Sequence, residues 1–288
     1  MAQLHQGVRG AFLTPAALLL GLVSSPPALG QGGHGPVFGL ATPTLPEGAW
    51  NADFTLMSAA RGGRAVTIRE TVRYGLTPNV QLNVSVPQRI ESSGAPLRTR
   101  IGTMMGGMGD AELSVFWRPH VRYPGVGRRF ESTVIFSGLY RVAGRRADVD
   151  TAAGFHAAAV TGYASRAIYA WGGGGYQHYF EKGGDRPGDL RYLSVVFGWR
   201  PPIFQRDYPK PDWRMFVESL AEFVGHDQSG GVEIEASGGE RVFVGPTVLG
   251  LYGKWGVGAG AIFPVYQNHR DDLASEEVRY TVNVSYWF

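Results

Sequence analysis

The sequence predicts an all-β fold, a transmembrane antiparallel up-and-down β-barrel of about twelve strands, and three observations predict it. Hydrophobic residues recur with a period of two from residue 47 to the C-terminus. The connections between the resulting segments alternate between short and long. The segments run to about ten to thirteen residues, which suits a tilted strand crossing a bilayer, whereas soluble strands are nearer five or six.

The elements follow in order. Residues 1–30 read as an export signal: a short polar start with His5 and Arg9, an apolar stretch over 11–23, then Pro26, Pro27 and Ala28-Leu29-Gly30. The apolar stretch is about 13 residues, short of the roughly 20 needed to span a bilayer as a helix, and Pro15 interrupts it. Cleavage is expected before Gln31. Residues 31–46 are then a lead-in that partly enters the lumen, and 47–288 the barrel. The twelve strand segments are 47–59, 66–74, 80–86, 110–119, 129–141, 153–162, 165–180, 189–200, 212–225, 239–251, 254–266 and 278–288.

Alternation within a segment is clearest in three of them. Val66, Ile68, Val72 and Tyr74 share a face opposite Thr67, Arg69, Thr71 and Arg73, with Glu70 breaking the apolar row. Val80, Leu82, Val84 and Val86 oppose Gln81, Asn83 and Ser85. In the last segment Val278, Tyr280, Val282, Val284, Tyr286 and Phe288 oppose Arg279, Thr281, Asn283, Ser285 and Trp287. Tight turns are expected at 76–79, 162–165 and 252–253, with longer members at 123–125 and 201–211. The opposite set, 88–108, 142–150, 181–188, 226–238 and 267–277, is mostly longer and polar. Short periplasmic turns, long outer loops and an even strand number put both termini on the periplasmic side. A soluble barrel would also alternate, with apolar rows inside. Trp50, Trp117, Trp199, Trp213 and Trp255 near strand ends suit the interfacial girdles of the membrane version.

Composition bounds the chemistry. With 27 basic and 24 acidic residues, 44% hydrophobic and 18% charged, the 288-residue chain is too apolar for disorder and too evenly charged for a nucleic-acid arm. The absence of cysteine excludes disulfides, a thiolate nucleophile and Cys-ligated zinc. Its 42 glycines show no collagen period and, with 15 Phe, 13 Tyr and 7 Trp, fit packed β-structure with many turns.

If the apolar rows face lipid, the polar rows line the lumen and carry Arg69, Arg73, Glu112, Arg118, Arg191, Arg214, Glu218 and Glu222. These charges either brace the lumen in pairs or form a constriction that selects solutes by charge. Glu218 and Glu222, four apart on one strand face, are about 13 Å from each other and make no tight carboxylate pair. His226-Asp227-Gln228-Ser229 invites a lipase reading, but nucleophile and base are normally assembled by the fold, and the run reads better as a polar loop. His120, His156, His178 and His269 are scattered, so no metal site and no cofactor are expected. The run 172–175 is all glycine without the Lys-Ser/Thr of a phosphate loop, and marks a kink or a close approach. Arg128-Arg129 and Arg145-Arg146 are too short for nucleic-acid readout.

A chain ending on Tyr280, Val282, Val284, Tyr286 and Phe288 at alternate positions resembles the C-terminal strand by which the barrel-assembly machinery recognises bacterial outer-membrane proteins. Three further stretches resemble the family of outer-membrane transporters named for the meta-pathway of phenol degradation. They are Tyr74-Gly75-Leu76-Thr77-Pro78-Asn79-Val80-Gln81-Leu82, Gly106-Gly107-Met108-Gly109-Asp110-Ala111-Glu112-Leu113, and Ala221-Glu222-Phe223 followed by Val244-Gly245-Pro246. The resemblance implies a non-enzymatic outer-membrane barrel passing small molecules, hydrophobic or aromatic ones in particular. The partners expected are outer-membrane lipid, the assembly machinery and a small solute, for a monomer that meets no nucleic acid. A twelve-stranded barrel is wider than a side-chain-filled eight-stranded one and narrower than a sixteen-stranded porin, which favours a selective or plugged path. The alternatives are a barrel-embedded lipid hydrolase and a structural or adhesive barrel that binds through loops such as 88–108.

Overall fold

The structure, a computed structural model, describes residues 35–60, 64–92, 110–141, 153–205, 210–235, 237–268 and 275–288. The expected export signal, residues 31–34, His269, the 142–150 loop, most of the 88–108 loop and its Gly106–Gly109 motif lie outside the described residues. The strands are β1 (Trp50–Ala60), β2 (Arg64–Thr77), β3 (Val80–Ser92), β4 (Asp110–Gly125), β5 (Arg128–Arg141), β6 (Gly154–Ala164) and β7 (Ile168–Tyr179). They continue with β8 (Leu190–Trp199), β9 (Asp212–Val224), β10 (Asp227–Ser229), β11 (Val232–Ile234), β12 (Gly239–Tyr252), β13 (Trp255–Asn268) and β14 (Arg279–Trp287).

Twelve of these strands close into one barrel, each antiparallel to its neighbours. Sequence neighbours pair throughout, except that β9 joins β12 and the β10–β11 hairpin stands apart in the connection between them. Closure comes from β1 on β14, in register from Asn51 opposite Trp287 to Ser58 opposite Tyr280. No barrel strand has a free edge, so the ladder N–H and C=O groups are matched within the sheet, as a wall in contact with hydrocarbon requires. Barrel strands run from nine to sixteen residues. All twelve expected segments are present. The one departure is the 226–238 connection, where the polar loop folds into a hairpin turned at Gly230 and Gly231, both at positive φ.

Burial decides between the soluble and the membrane version. On β1, Phe54 and Leu56 are exposed while Asn51, Asp53 and Thr55 are buried. On β2 and β3 the buried rows are Thr67, Arg69, Thr71 and Arg73, and Gln81, Asn83 and Ser85. Val72, Val84, Val195, Phe197, Val217 and Val284 stand on the outer surface. The wall is therefore apolar outside and polar inside, the reverse of a soluble barrel and the arrangement of a lipid-embedded one. Glu70, the exception foreseen on β2, points outward and accepts a hydrogen bond from Gln88 (3.2 Å). Trp117, Trp199, Trp213 and Trp255 face outward at the end that carries both chain termini, where Trp50 packs on Tyr74 and Trp255 on Tyr286. Tyr140, Phe155, Phe180, Tyr266 and Tyr280 form the corresponding aromatic band at the other end. Tyr280, Val282, Val284 and Tyr286 of the terminal strand lie on the outer face, and Phe288 stacks edge-on against Tyr286 (5.1 Å).

Val282 sits mid-strand on the outer face, opposite Leu56 and Ala259. Val282→Arg is expected to lower the unfolding free energy of the barrel in phospholipid vesicles by about 2–4 kcal/mol, read by denaturant titration. Val126→Arg, at the tip of the β4–β5 turn and fully exposed, should change it by under about 1 kcal/mol.

Candidate functional site in the barrel lumen

The lumen is occupied by the chain's own beginning. Residues 38–45 are buried, with Phe38, Leu40 and Leu45 nearly inaccessible, in one apolar cluster with Trp171, Tyr192, Val196 and Phe216 of the wall. An irregular segment inside a barrel has no ladder to satisfy its backbone, so side chains of the wall must do it. Three prolines, Pro36, Pro43 and Pro46, remove N–H groups that would otherwise need partners. Several of the remaining groups are taken up by separate strands. The Glu218 carboxylate on β9 accepts from the N–H groups of Val37 (2.7 Å), Phe38 (2.7 Å) and Gly39 (2.5 Å), and from the Thr247 hydroxyl on β12. Leu40 N–H donates to Ser194 Oγ on β8 (2.9 Å). The Thr42 carbonyl accepts from Thr133 on β5 (2.6 Å), and its hydroxyl accepts from Trp171 Nε1 on β7 (3.0 Å). Leu45 N–H donates to Gln81 Oε1 on β3 (2.7 Å).

The segment thus crosses the lumen from β9 to β3 and then docks on β2, where Gly48 N–H donates to Gly75 O (2.8 Å) and Gly75 N–H to Ala49 O (2.9 Å). Gly75 permits this approach, since a Cβ there would stand 1.9 Å from the Pro46 carbonyl oxygen. Gly39 is held as closely, because a Cβ would meet Val196 at 2.4 Å and Ser194 Oγ at 2.8 Å.

The charged residues are paired around this plug. At the terminus-bearing end Arg73 bonds Asp53 and the Asn51 side-chain oxygen (2.5 Å). Arg118 bonds Glu131 (2.9 Å) and the Pro78 carbonyl (2.7 Å), and Arg129 also reaches Glu131 (2.5 Å). Asp212 lies between Arg200 (2.7 Å) and Arg214 (2.9 Å), with the Arg214 guanidinium over the Tyr169 ring (5.3 Å). At the opposite end two arginines and two glutamates close a neutral ring. Arg279 grips Glu222 through both terminal nitrogens (2.9 and 2.7 Å) and Glu276 through Nε (2.5 Å) and one terminal nitrogen (3.0 Å). Arg241 bridges Glu276 (2.7 Å) and Glu222 (3.2 Å). Phe243 lies flat under Arg279, 3.8 Å from its ring centre. Bidentate geometry and mutual neutralisation are what allow such charges to be fully buried.

Seven of the eight residues expected to line the lumen do so: Arg69, Arg73, Glu112, Arg118, Arg214, Glu218 and Glu222. Arg191 does not. It faces outward from β8, in the row of Leu193, Val195, Phe197 and Trp199, while Leu190, Tyr192, Ser194 and Val196 face in. Both rows of β8 are largely apolar, so alternation left the facing undetermined and the charge alone suggested the lumen. The seven are spread around the wall rather than gathered into a ring. Arg69 donates to Ser85 Oγ (2.8 Å), and Ser85 is the cross-strand partner of Glu112. Arg241, Arg279, Glu276 and Asp53 were not singled out from the sequence. Arg279 and Asp53 lie on polar rows and could have been, whereas Glu276 falls in a connection where no period applies.

The buried Glu112, Ser137 and His156 lie together on β4, β5 and β6. Ser137 (3.3 Å) and Glu112 (3.8 Å) both approach His156 Nδ1, and Nε2 is taken by the Tyr192 hydroxyl (2.8 Å). A nucleophile and an orienting acid need opposite ring nitrogens, so this is not a triad. His226 and Ser229 are exposed, and Asp227 accepts the Gly188 N–H (2.8 Å) as part of the hairpin's own fold. Among the described residues no group of three His, Asp or Glu side chains could hold a metal. The glycines at 172–175 do mark a close approach: a Cβ on Gly173 would stand 2.4 Å from the Ala159 carbonyl, and one on Gly175 2.6 Å from the Tyr192 hydroxyl.

No family profile matches the chain, and no curated protein matches it. Among solved structures it is similar to an outer membrane channel from Pseudomonas putida F1, at 13% identity and a TM-score of 0.59, covering 85% of this chain and 97% of that one. The likeness is one of fold, a closed antiparallel barrel of twelve strands. Similarity extends more loosely to the NanC porin (7% identity, TM-score 0.48, 81% of this chain and 98% of that one) and to LpxR from Salmonella typhimurium (10%, 0.39, 83% and 100%).

Arg279→Ala leaves Glu222 and Glu276 buried with one cation between them, and should cost about 3–5 kcal/mol in denaturant unfolding of the micellar barrel. Arg129→Ala, whose guanidinium is over a third exposed, should cost under about 1 kcal/mol.

Proposed function

We propose that the protein is a channel of the bacterial outer membrane for small molecules, with its N-terminal segment as a resident plug. The observation that carries this reading is the way the plug is held. From Val37 to Leu45 its main chain is bound by hydrogen bonds to polar side chains on separate strands, three of them to Glu218, and backbone pairing with β2 begins only at Gly48. Each such bond contributes about 0.5–1.5 kcal/mol, somewhat more to a carboxylate, so the segment can be released without opening the wall. The reading takes the protein as a monomer, and the terminal strand from Tyr280 to Phe288 resembles the pattern that the assembly machinery reads.

The solute class follows from what lines the plugged section. Tyr169 stacks on Trp171 (5.5 Å), and Phe216 packs against both (6.0 and 6.2 Å), giving a wall of aromatic faces beside the segment. Such faces favour hydrophobic or aromatic solutes over small ions. This agrees with the resemblance to the phenol meta-pathway transporters, whose Tyr74–Leu82 motif forms the hairpin on which the plug docks. Among the described residues the arginines at the two ends of the barrel lie against carboxylates, so selection would rest chiefly on size and apolar fit.

Single-channel recording across a planar bilayer tests the proposal. The mature chain from Gln31 is expected to show small, infrequent steps. Deletion of residues 35–45 should raise conductance several-fold, and Glu218→Ala, which frees three N–H groups of the plug, should lengthen open times. Currents that are the same with and without the plug would refute the lumen as the path.

A further inference from the structure

The outward-facing Arg191 and the wall beside it form a second feature, independent of the lumen. A groove in the outer wall is lined by Gly174, Tyr176, Arg191, Leu193 and Phe223. Adjoining it, the outer wall has a floor of absent or small side chains. Ala157 and Ala159 of β6 sit opposite Tyr176 and Gly174 of β7, and a Cβ at Gly172 would touch nothing within 4 Å. Its sides are apolar, with Leu193 58% and Val195 61% exposed, among the most exposed apolar side chains of the wall.

The head of the groove is polar and basic. Arg191 lies directly across from Tyr176 on one side and Phe223 on the other. The nearby carboxylate, Asp189, is already engaged by the Tyr176 hydroxyl (2.6 Å), His178 Nδ1 (2.8 Å) and Arg186 (3.3 Å). Arg191 itself makes no hydrogen bond or ion pair among the described residues. Phe155 and Phe180 flank His178 at the same level, in the aromatic band at the end opposite the termini.

We infer that this groove binds a phosphate-bearing lipid of the outer leaflet, with an acyl chain along the glycine and alanine floor and the phosphate on Arg191. Two physical constraints lead there. An unpaired guanidinium on a lipid-facing wall is costly unless it meets an anion at headgroup depth, and its fork matches phosphate. A trough in a wall surrounded by hydrocarbon is filled by hydrocarbon, because an empty one forfeits contacts on one side. The inference rests on the membrane placement proposed above, but not on conduction.

The test uses the refolded barrel in detergent, followed by native mass spectrometry with dilauroyl phosphatidic acid as probe and dilauroyl glycerol and inorganic phosphate as comparisons. Phosphatidic acid should be retained on the wild type, diacylglycerol at least about tenfold less, and inorganic phosphate should not displace it at equal concentration. Arg191→Gln should reduce retention at least about tenfold, and Gly172→Leu, which adds bulk to the floor from a position where a Cβ meets nothing within 4 Å, should reduce it several-fold, both with the wild-type heat-modifiable gel shift. Equal retention of diacylglycerol, displacement by free phosphate, or undiminished binding in both variants would overturn the inference; the comparison of the two lipids on the wild type needs no variant to fold. Insertion of the wild type into phosphatidylcholine vesicles separates the two failures: a barrel that inserts but keeps no phosphatidic acid refutes this site alone, whereas one that does not insert refutes the membrane placement as well.

Discussion

The carboxylate of Glu218 organises the interior of this barrel. It collects three successive backbone N–H groups of the N-terminal segment and a hydroxyl from the facing strand. A buried carboxylate without donors would be costly, and so would three buried N–H groups without an acceptor. Each side of the contact therefore requires the other. Once Val37 to Gly39 are fixed on β9, the short stretch up to Ala49 has to cross to β2, and the bonds to Ser194, Thr133, Trp171 and Gln81 follow along that line. The plug is in this sense a consequence of one side chain and of the distance the chain must cover before β1 begins.

The same requirement for partners shapes the rest of the lumen. Charges that would repel or stay unsolvated are arranged in local neutral groups, of which the Arg279, Arg241, Glu222 and Glu276 ring is the most enclosed. Arg73 with Asp53 does the same near the terminus-bearing end, where Asp212 also lies between Arg200 and Arg214, a group with one cation in excess. These groups brace the wall from inside, where no lipid presses on it. They also separate two tasks, rigidity at the two ends and a releasable filling in the middle, where the aromatic faces of Tyr169, Trp171 and Phe216 meet the segment.

Much of the fold was legible because a sheet with lipid on one side and polar filling on the other has only one pattern available. On β2, Val66 to Tyr74 alternate without ambiguity, and the facing of Arg69 and Arg73 follows directly. β8 shows where legibility ends. Its inward row of Leu190, Tyr192 and Val196 packs on the plug and is as apolar as its outward row, so nothing local distinguishes the faces and Arg191 is misplaced by its charge. The plug itself carried little signal beyond its prolines. Its stability lies in contacts to strands up to 181 residues away, and no local period records such contacts.

From its own order of residues the chain determined the number of strands, their approximate limits, the short and long ends of the barrel and the apolar exterior, because strand period and turn chemistry are local properties. Only the closed tertiary structure decided which charges meet, that the lumen is filled by residues 38–45, and that Arg191 stands on the outer wall beside a groove. Those outcomes depend on the register in which twelve strands close, and a one-residue change of register exchanges the two faces of a strand.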